Sequence, residues 1–469
     1  MEKALALHRT VPAPDPGRAH WLRALAHQRR GNTDAAIAAL HEHLRHCPED
    51  AGAWLSLGAA LRRQWRLDAA LVSYQRALQL CPRDPAVWSS LGRLWADLGQ
   101  HEQCLRAHRR AVELDPTRMA TRIDCAHALA DAGRLEEAER YLDSCLRQEP
   151  GRSDLRLARG LLRLQAGRLR EGWEDYEARP EAPLPAAIRL LPRWRGERVA
   201  GRRILITPEG SAAETLWAVR YVGMLARRGA SISVACDPAL HRLLGAMPAR
   251  LIKAQDLASG AEGFDLRCGL QSLPALLDPR GATVPEPFVP ELPAPQQWMQ
   301  ELLPQQGRQL RVGIVWQDPA LPQASAGLSI GQLLPLALVP QLRLFSLQSG
   351  QAATELPRNG AAGMVTDLGS RCEDAAELAS AIAQMDVCVL VEGLALHLAG
   401  SLGKPTLALL GRNAHWLHGA RSEGSRWYPS LRLLRQEQPG DWFAVLREAT
   451  ALLRGWADVR RRGATGGWR

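Results

Sequence analysis

Four prolines, Pro48, Pro82, Pro116 and Pro150, stand 34 residues apart each time. A period kept over four copies restricts the front third of the chain to a stack of similar units. Upstream of each proline lie two stretches with apolar residues at helical spacing. In the clearest copy Trp54, Leu57, Gly58 and Leu61 mark one helix, and Ala70, Tyr74 and Ala77 mark the next. The following copy repeats this with Trp88, Leu91, Gly92, Trp95, Ala111 and Pro116. A later copy (Ala126, Leu129, Ala138, Leu142) and an earlier one (Ala24, Ala36, Leu40) are fainter, and a partial fifth carries Gly160, Gly172, Trp173 and Tyr176. Small Gly58 and Ala70 suit a close helix crossing. Trp54 and Tyr74 fill gaps between hairpins. Pro82 cannot continue a helix, so it separates one hairpin from the next.

This pattern resembles the tetratricopeptide repeat, whose period is 34 residues. One such hairpin cannot bury its apolar face alone, so the units are expected to stack into an all-α solenoid with a concave groove. The groove would take a peptide or a partner protein. The alternative is an arm that supports or dimerises the rest. No row of Asn or other recognition residues decides between the two.

A chain of 469 residues is too long for one ordinary core. Its net charge is +10, and almost all of its positive charge is arginine, because lysine occurs only at Lys3, Lys253 and Lys404. The arginines are spread among acids and read as solvated helix faces, and no motif supports specific nucleic-acid binding. The dense run Arg460-Arg461-Arg462 reads as part of a frayed basic tail. Nine cysteines lack any CxxC or metal-like spacing. With "MEKALALHRTVPAPDPG" too short of apolar residues for a secretory leader, reduced thiols and a cytoplasmic location are expected. No apolar stretch approaches the ~20 residues of a membrane span. His41, His43 and His46 read as surface residues, and neither a metal nor a cofactor is expected.

Beyond Leu190 the pattern changes. A Pro- and Arg-rich stretch is followed by short β-rich runs alternating with helical ones: "RRILITPE", "LWAVRYVGMLARRG", "SISVAC", "PALHRLLGAMP". After proline-rich "VPEPFVPELPAPQQW" a second series begins: "LRVGIVW", "LRLFSLQ", "GMVTDLG", "DVCVLV", "TLALLG". Such alternation predicts two α/β halves with parallel sheets. The expected bounds are repeats over 17–180, a linker over 181–199, a first half over 200–296, a second over 308–456 and a basic tail over 457–469. Ligands of open α/β sheets bind at the C-terminal ends of the strands.

The segments "ETLWAVRY", "VGIVW", "LFSLQ", "HLAGSLGKP" and "SRWYPSLRLLRQEQPGDW" carry a resemblance. They are similar to bacterial tetratricopeptide proteins with a C-terminal, heptosyltransferase-like glycosyltransferase domain of the GT-B type. The resemblance implies transfer of a sugar from a nucleotide-sugar donor, without a bound metal. It puts the donor on the second half and the acceptor on the first, with a carboxylate of the first loop as general base. Carried onto this chain, Glu214 is the base. Glu209, Gly210 and Ser211 form the acceptor-side loop. Trp316, Glu392, Gly393, Leu394 and His397 hold the donor, its diphosphate at a helix N-terminus.

The chain departs from that pattern in three loops. The family's glycine-rich "EQGLGDT"-like turn reads here Glu209-Gly210-Ser211-Ala212-Ala213-Glu214-Thr215. Its base is one methylene longer, and two glycines are gone. After "VGIVW" the family's His, Asp and Arg positions hold Pro322, Ser325 and Leu328, and only Ser329 is kept. At the third loop Val391-Glu392-Gly393 replaces Val-Asp-Thr, with His397 retained. Two functions therefore stay open: a glycosyltransferase, or an inactive GT-B module on a repeat scaffold.

Overall fold

The computed structural model describes residues 16–303, 309–318, 320, 328–438 and 440–461. The positions Pro322 and Ser325, the tail from Arg462 and the chain before Pro16 lie outside them. The chain forms two compact units, Met1–Ser144 and Cys145–Arg469.

The first unit is helical and keeps the register of the sequence. First helices of its hairpins begin at Ala51, Pro85 and Met119, and second helices at Thr33, Leu67, His101 and Leu135. Each series steps by 34. Asp50 and Asp84, also 34 apart, cap the first helices by accepting the N–H of Ala53 and Ala86. The repeat tryptophans do more than fill gaps. The indole N–H of Trp54 donates to the Pro48 carbonyl at 2.8 Å, and that of Trp88 to the Pro82 carbonyl at 2.9 Å. The Pro48 and Pro82 turns are thus pinned to the helices that follow them.

The helix crossing follows a size rule. A Cβ on Gly58 would lie 2.5 Å from the Tyr74 ring, and one on Gly92 2.5 Å from the His108 ring. Where the second helix offers leucine instead (Leu40, Leu142), the first helix carries alanine (Ala24, Ala126), and all four are fully or almost fully buried. A ring is matched by glycine and a leucine by alanine. His43, expected on the surface, is 5% exposed. Its Nδ1 meets the Gly17 carbonyl at 2.7 Å and its Nε2 meets Asp50 at 2.8 Å, so a buried ring is satisfied at both ends.

The second unit holds two parallel sheets. The first is ordered β3-β2-β1-β4, with β1 Arg203–Thr207, β2 Ser231–Cys236, β3 Arg250–Lys253 and β4 Leu266–Gly269. The second is ordered β10-β9-β8-β5-β6-β7, with β5 Leu310–Val315, β6 Leu342–Ser346, β7 Val365–Asp367, β8 Val387–Val391, β9 Thr406–Leu410 and β10 Leu431–Arg435. Counted from β5, that is the doubly wound order 3-2-1-4-5-6, and the first sheet is its shorter version. Strands β8 and β9 are buried at every position because helices cover both faces.

Three expected boundaries shift. The last helical hairpin, Ser153–Gln165 with Leu169–Tyr176, belongs to this unit, where Trp173 packs edge-on to Trp416 at 5.2 Å. The stretch expected as a linker is fixed to the first sheet: Trp194 is 1% exposed, its N–H bonds the Arg267 carbonyl, and Ile188 packs with Leu205. The final helix runs Phe443–Arg461, and Arg460 pairs with buried-edge Asp386 at 2.9 Å. That part of the basic run is structural.

Candidate functional site

In both sheets the strand order reverses beside the first strand, between β1 and β4 and between β5 and β8. Ligands of such sheets bind outside these switch points. The loops that follow β1, β5 and β8 build the walls of a cavity of about 270 Å³, lined by Ser211, Ala212, Gln317, Asp318, Gln348 and Leu394 among others.

After β1 the chain turns at Gly210, which has φ +72°. A Cβ there would fall 2.3 Å from the Gln271 amide and 2.5 Å from the Glu214 carboxylate, so glycine is needed for space as well as for its dihedral. The helix Ala212–Ala218 starts with a capping box: Ser211 Oγ accepts the Glu214 N–H at 3.3 Å, and Glu214 Oε2 accepts the Ser211 N–H at 2.7 Å. The other oxygen of Glu214 accepts from Gln271 Nε2 at 3.2 Å. It also lies 3.6 Å from His415 Nε2. His415 comes from the loop after β9, so the two halves of the unit meet at this pair. Leu417 N–H donates to His415 Nδ1 at 3.5 Å, which leaves the ring hydrogen on Nε2, facing Glu214. Burial lowers the His415 pKa, and Glu392 and Glu214 oppose that shift. Glu209 lies off to one side, where Arg179 Nη2 bonds both its oxygens, at 2.8 and 3.1 Å.

The third loop is built differently from the expectation. Glu392 is 5% exposed and turns away from the cavity, 3.2 Å from His418 Nε2 and 3.0 Å from the His415 N–H. Burial alone would raise its pKa, but His418 and His415 bring it down to about 2. His397 is 4% exposed; its Nδ1 meets the Tyr428 hydroxyl at 3.0 Å. Burial pushes its pKa down to about 3. It is a neutral core histidine, and Gly400, one turn on, gives the Tyr428 ring its room. Trp316 is fully buried and does not line the cavity.

Leu394 lines the cavity, and Gly393 precedes it at the start of the helix Leu394–Ser401. Here the helix N-terminus is already occupied by a carboxylate. Asp318 Oδ2 accepts the Leu394 N–H at 2.9 Å, and a Cβ on Gly393 would lie 1.9 Å from that oxygen. Glycine at position 393 is what lets Asp318 approach. Buried Gln348, the last residue of "LFSLQ", positions this loop: it accepts the N–H of Trp316 and Gln317 and donates to the Gln317 carbonyl. Lys404 of the Gly-Lys-Pro step lies elsewhere, donating to the carbonyls of Ala383 and Met385 past the helix Ala375–Ala383.

Sequence reading thus missed Asp318, Gln348, Gln271 and His415. Asp318 stands two residues beyond "VGIVW" and was visible as a lone acid. Gln271 and His415 carry no local signal, because each acquires its role from a segment far away in the chain. Among the described residues no group of His, Cys, Asp or Glu has the arrangement of a metal site, and no helix is long and apolar enough to cross a membrane.

Comparison with known proteins identifies the helical part. Residues 22–85 and 96–162 each match a tetratricopeptide-repeat family. The amino-terminal helices are tetratricopeptide repeats. Over 319 residues the chain is 27% identical to Protein FlbA of Caulobacter vibrioides, covering 60% of this chain and 52% of that one. The chain thus spans about half the length of this curated relative. Among solved structures, PilF of Pseudomonas aeruginosa is 19% identical, with 35% of this chain and 74% of that one covered at a TM-score of 0.31. YrrB, described as a TPR protein with an unusual peptide-binding site, is 21% identical, with 33% and 80% covered at a TM-score of 0.28.

Proposed function

We propose that this is a cytoplasmic tetratricopeptide-repeat protein whose α/β unit is a GT-B-type glycosyltransferase module. It would move a sugar from a nucleotide-sugar to a protein or glycan acceptor gathered by the repeats. The observation that carries this reading is the Glu214–His415 pair, formed where the loop after β1 of one doubly wound half meets the loop after β9 of the other. In the reaction Glu214 takes the proton of the acceptor hydroxyl as its oxygen bonds the anomeric carbon. The bond from that carbon to the donor phosphate breaks, and the nucleotide leaves with the electron pair. The His415 Nε2–H stabilises the carboxylate, and the N–H groups of Gly393 and Leu394 receive phosphate charge.

Asp318 must leave the helix N-terminus for this to happen. Two unit charges about 4 Å apart repel by about 4 kcal/mol at an effective dielectric constant near 20. A donor phosphate and the Asp318 carboxylate therefore exclude each other at Leu394. The same observation favours a second reading, a repeat scaffold with a silenced cleft in which Asp318 replaces the ligand for good.

Calorimetry with UDP-, GDP- and ADP-sugars separates the two. On the transferase reading Asp318→Ala binds a donor at least about tenfold more tightly than wild type, the equivalent of about 1.4 kcal/mol of relieved repulsion. Glu214→Gln then keeps donor affinity and loses roughly 100-fold or more in turnover. If neither wild type nor Asp318→Ala binds any of these donors, the transferase reading fails and the scaffold reading stands.

A further inference from the structure

The last helical hairpin lies against the site from outside the two sheets. Its second helix, Leu169–Tyr176, ends on a ring with a polar partner outside the repeats. In the earlier hairpins the equivalent ring, Tyr74 or His108, covers the glycine of its own partner helix. In the last one, Gly160 is instead approached by backbone, 2.8 Å from its would-be Cβ to Tyr176 N, and the ring reaches away to Gln271. The Tyr176 hydroxyl donates to Gln271 Oε1. Burial raises the Tyr176 pKa, so the hydroxyl stays protonated and acts as donor. With its oxygen engaged, the Gln271 amide presents Nε2 to Glu214 Oε1 at 3.2 Å. The Gln271 backbone N–H meets Glu209 Oε2 at 2.9 Å, and Glu209 is itself clamped by Arg179, three residues beyond Tyr176. The same helix reaches the other partner: Trp173 packs edge-on against Trp416, the neighbour of His415.

We propose that Tyr176 is a positioning residue for Glu214, acting through the Gln271 amide, so that the last repeat hairpin sets the geometry of the Glu214–His415 pair. This rests on the proposed role of that pair. The physical reason is directional. A glutamine amide can turn by half a rotation to offer either oxygen or nitrogen. A donor held on its oxygen reinforces the orientation in which its nitrogen meets the carboxylate. Without the Tyr176 hydroxyl the amide can flip and place its oxygen against Glu214, which repels the carboxylate.

The test reads the His415 ring directly, in the full chain and without substrate, by NMR titration assigned with His415→Gln. The charged or titratable groups around that ring are Glu392, Glu214, His418 and His397. Glu214→Gln removes an opposing charge and is expected to lower the His415 midpoint by about one pH unit. Tyr176→Phe, which removes one oxygen, is expected to move it in the same direction by a measurable part of that shift. If Glu214→Gln shifts the midpoint and Tyr176→Phe leaves it at the wild-type value, the positioning role is wrong while the pair survives. If Glu214→Gln itself has no effect, the pair is wrong and both readings fall. Should Tyr176→Phe melt far below wild type, Gln271→Leu breaks the same link from the other end and is read by the same criterion.

Discussion

At the scale of single residues, His397 shows how far burial can move a side chain from its expected task. The motif "HLAGS" made it a donor ligand. The fold encloses it beside the Tyr428 hydroxyl and lowers its pKa to about 3. The consequence for stability has a definite sign. In the unfolded chain the ring takes a proton below about pH 6.5. The folded state refuses that proton until about pH 3, so its stability falls as pH drops from 6.5 towards 3. One proton corresponds to about 1.4 kcal/mol per pH unit. Glu392, held at about 2, adds its own loss only below about pH 4.5. Between pH 6.5 and 4.5 a His397→Gln variant is therefore expected to show a shallower fall than wild type, by about one proton in urea-midpoint titrations. His415 keeps part of the slope, since its pKa is lowered too.

At the scale of elements, the helix hairpin is governed by the pairing of glycine with a ring and alanine with leucine. The rule was legible in the sequence, since positions 16 apart show Ala24 with Leu40, Gly58 with Tyr74, Gly92 with His108 and Ala126 with Leu142. It predicts a compensation. Gly92→Ala forces a methyl into the His108 ring and is expected to cost about 1–3 kcal/mol. Adding His108→Leu recreates the Ala–Leu pair of the first and fourth hairpins and is expected to recover most of that loss. Thermal melts of the single and double variants decide it, and a double variant no better than Gly92→Ala would refute the rule. The capping box at Ser211–Glu214 was equally legible, because a Ser-x-x-Glu spacing is local. The occupation of the Leu394 N–H by Asp318 was not, because those residues are 76 apart.

At the scale of the α/β unit, one buried cation joins the halves. Arg220, 5% exposed on the turn after the helix Ala212–Ala218, donates to the Trp427 carbonyl at 3.0 Å and lies 4.7 Å over the Tyr428 ring. Its Nε–H is spent on the Trp217 carbonyl, so the side chain is fixed at both ends. Around it Trp217 meets Trp416 and Trp427 edge to face at 5.4 and 5.2 Å. Arg220→Met leaves the Trp427 carbonyl buried without its donor and is expected to cost about 1–3 kcal/mol. Because the tryptophans sit at this seam, their fluorescence is expected to change at lower denaturant than the far-ultraviolet circular dichroism. Coincident transitions in the variant would show that the seam is not held by Arg220.

The sequence alone determined the repeat architecture, the two parallel α/β series and the loops that face each other at the strand ends. These follow from periodicity and from local turn chemistry, which act over a few residues. The tertiary structure alone decided what the loop residues do. Glu392 and His397 went into the core, Asp318 took the helix N-terminus, and Gln271 and His415 converged on Glu214 from segments 57 and 201 positions away. Burial and hydrogen-bond partners set these roles, and both arise only when distant segments meet.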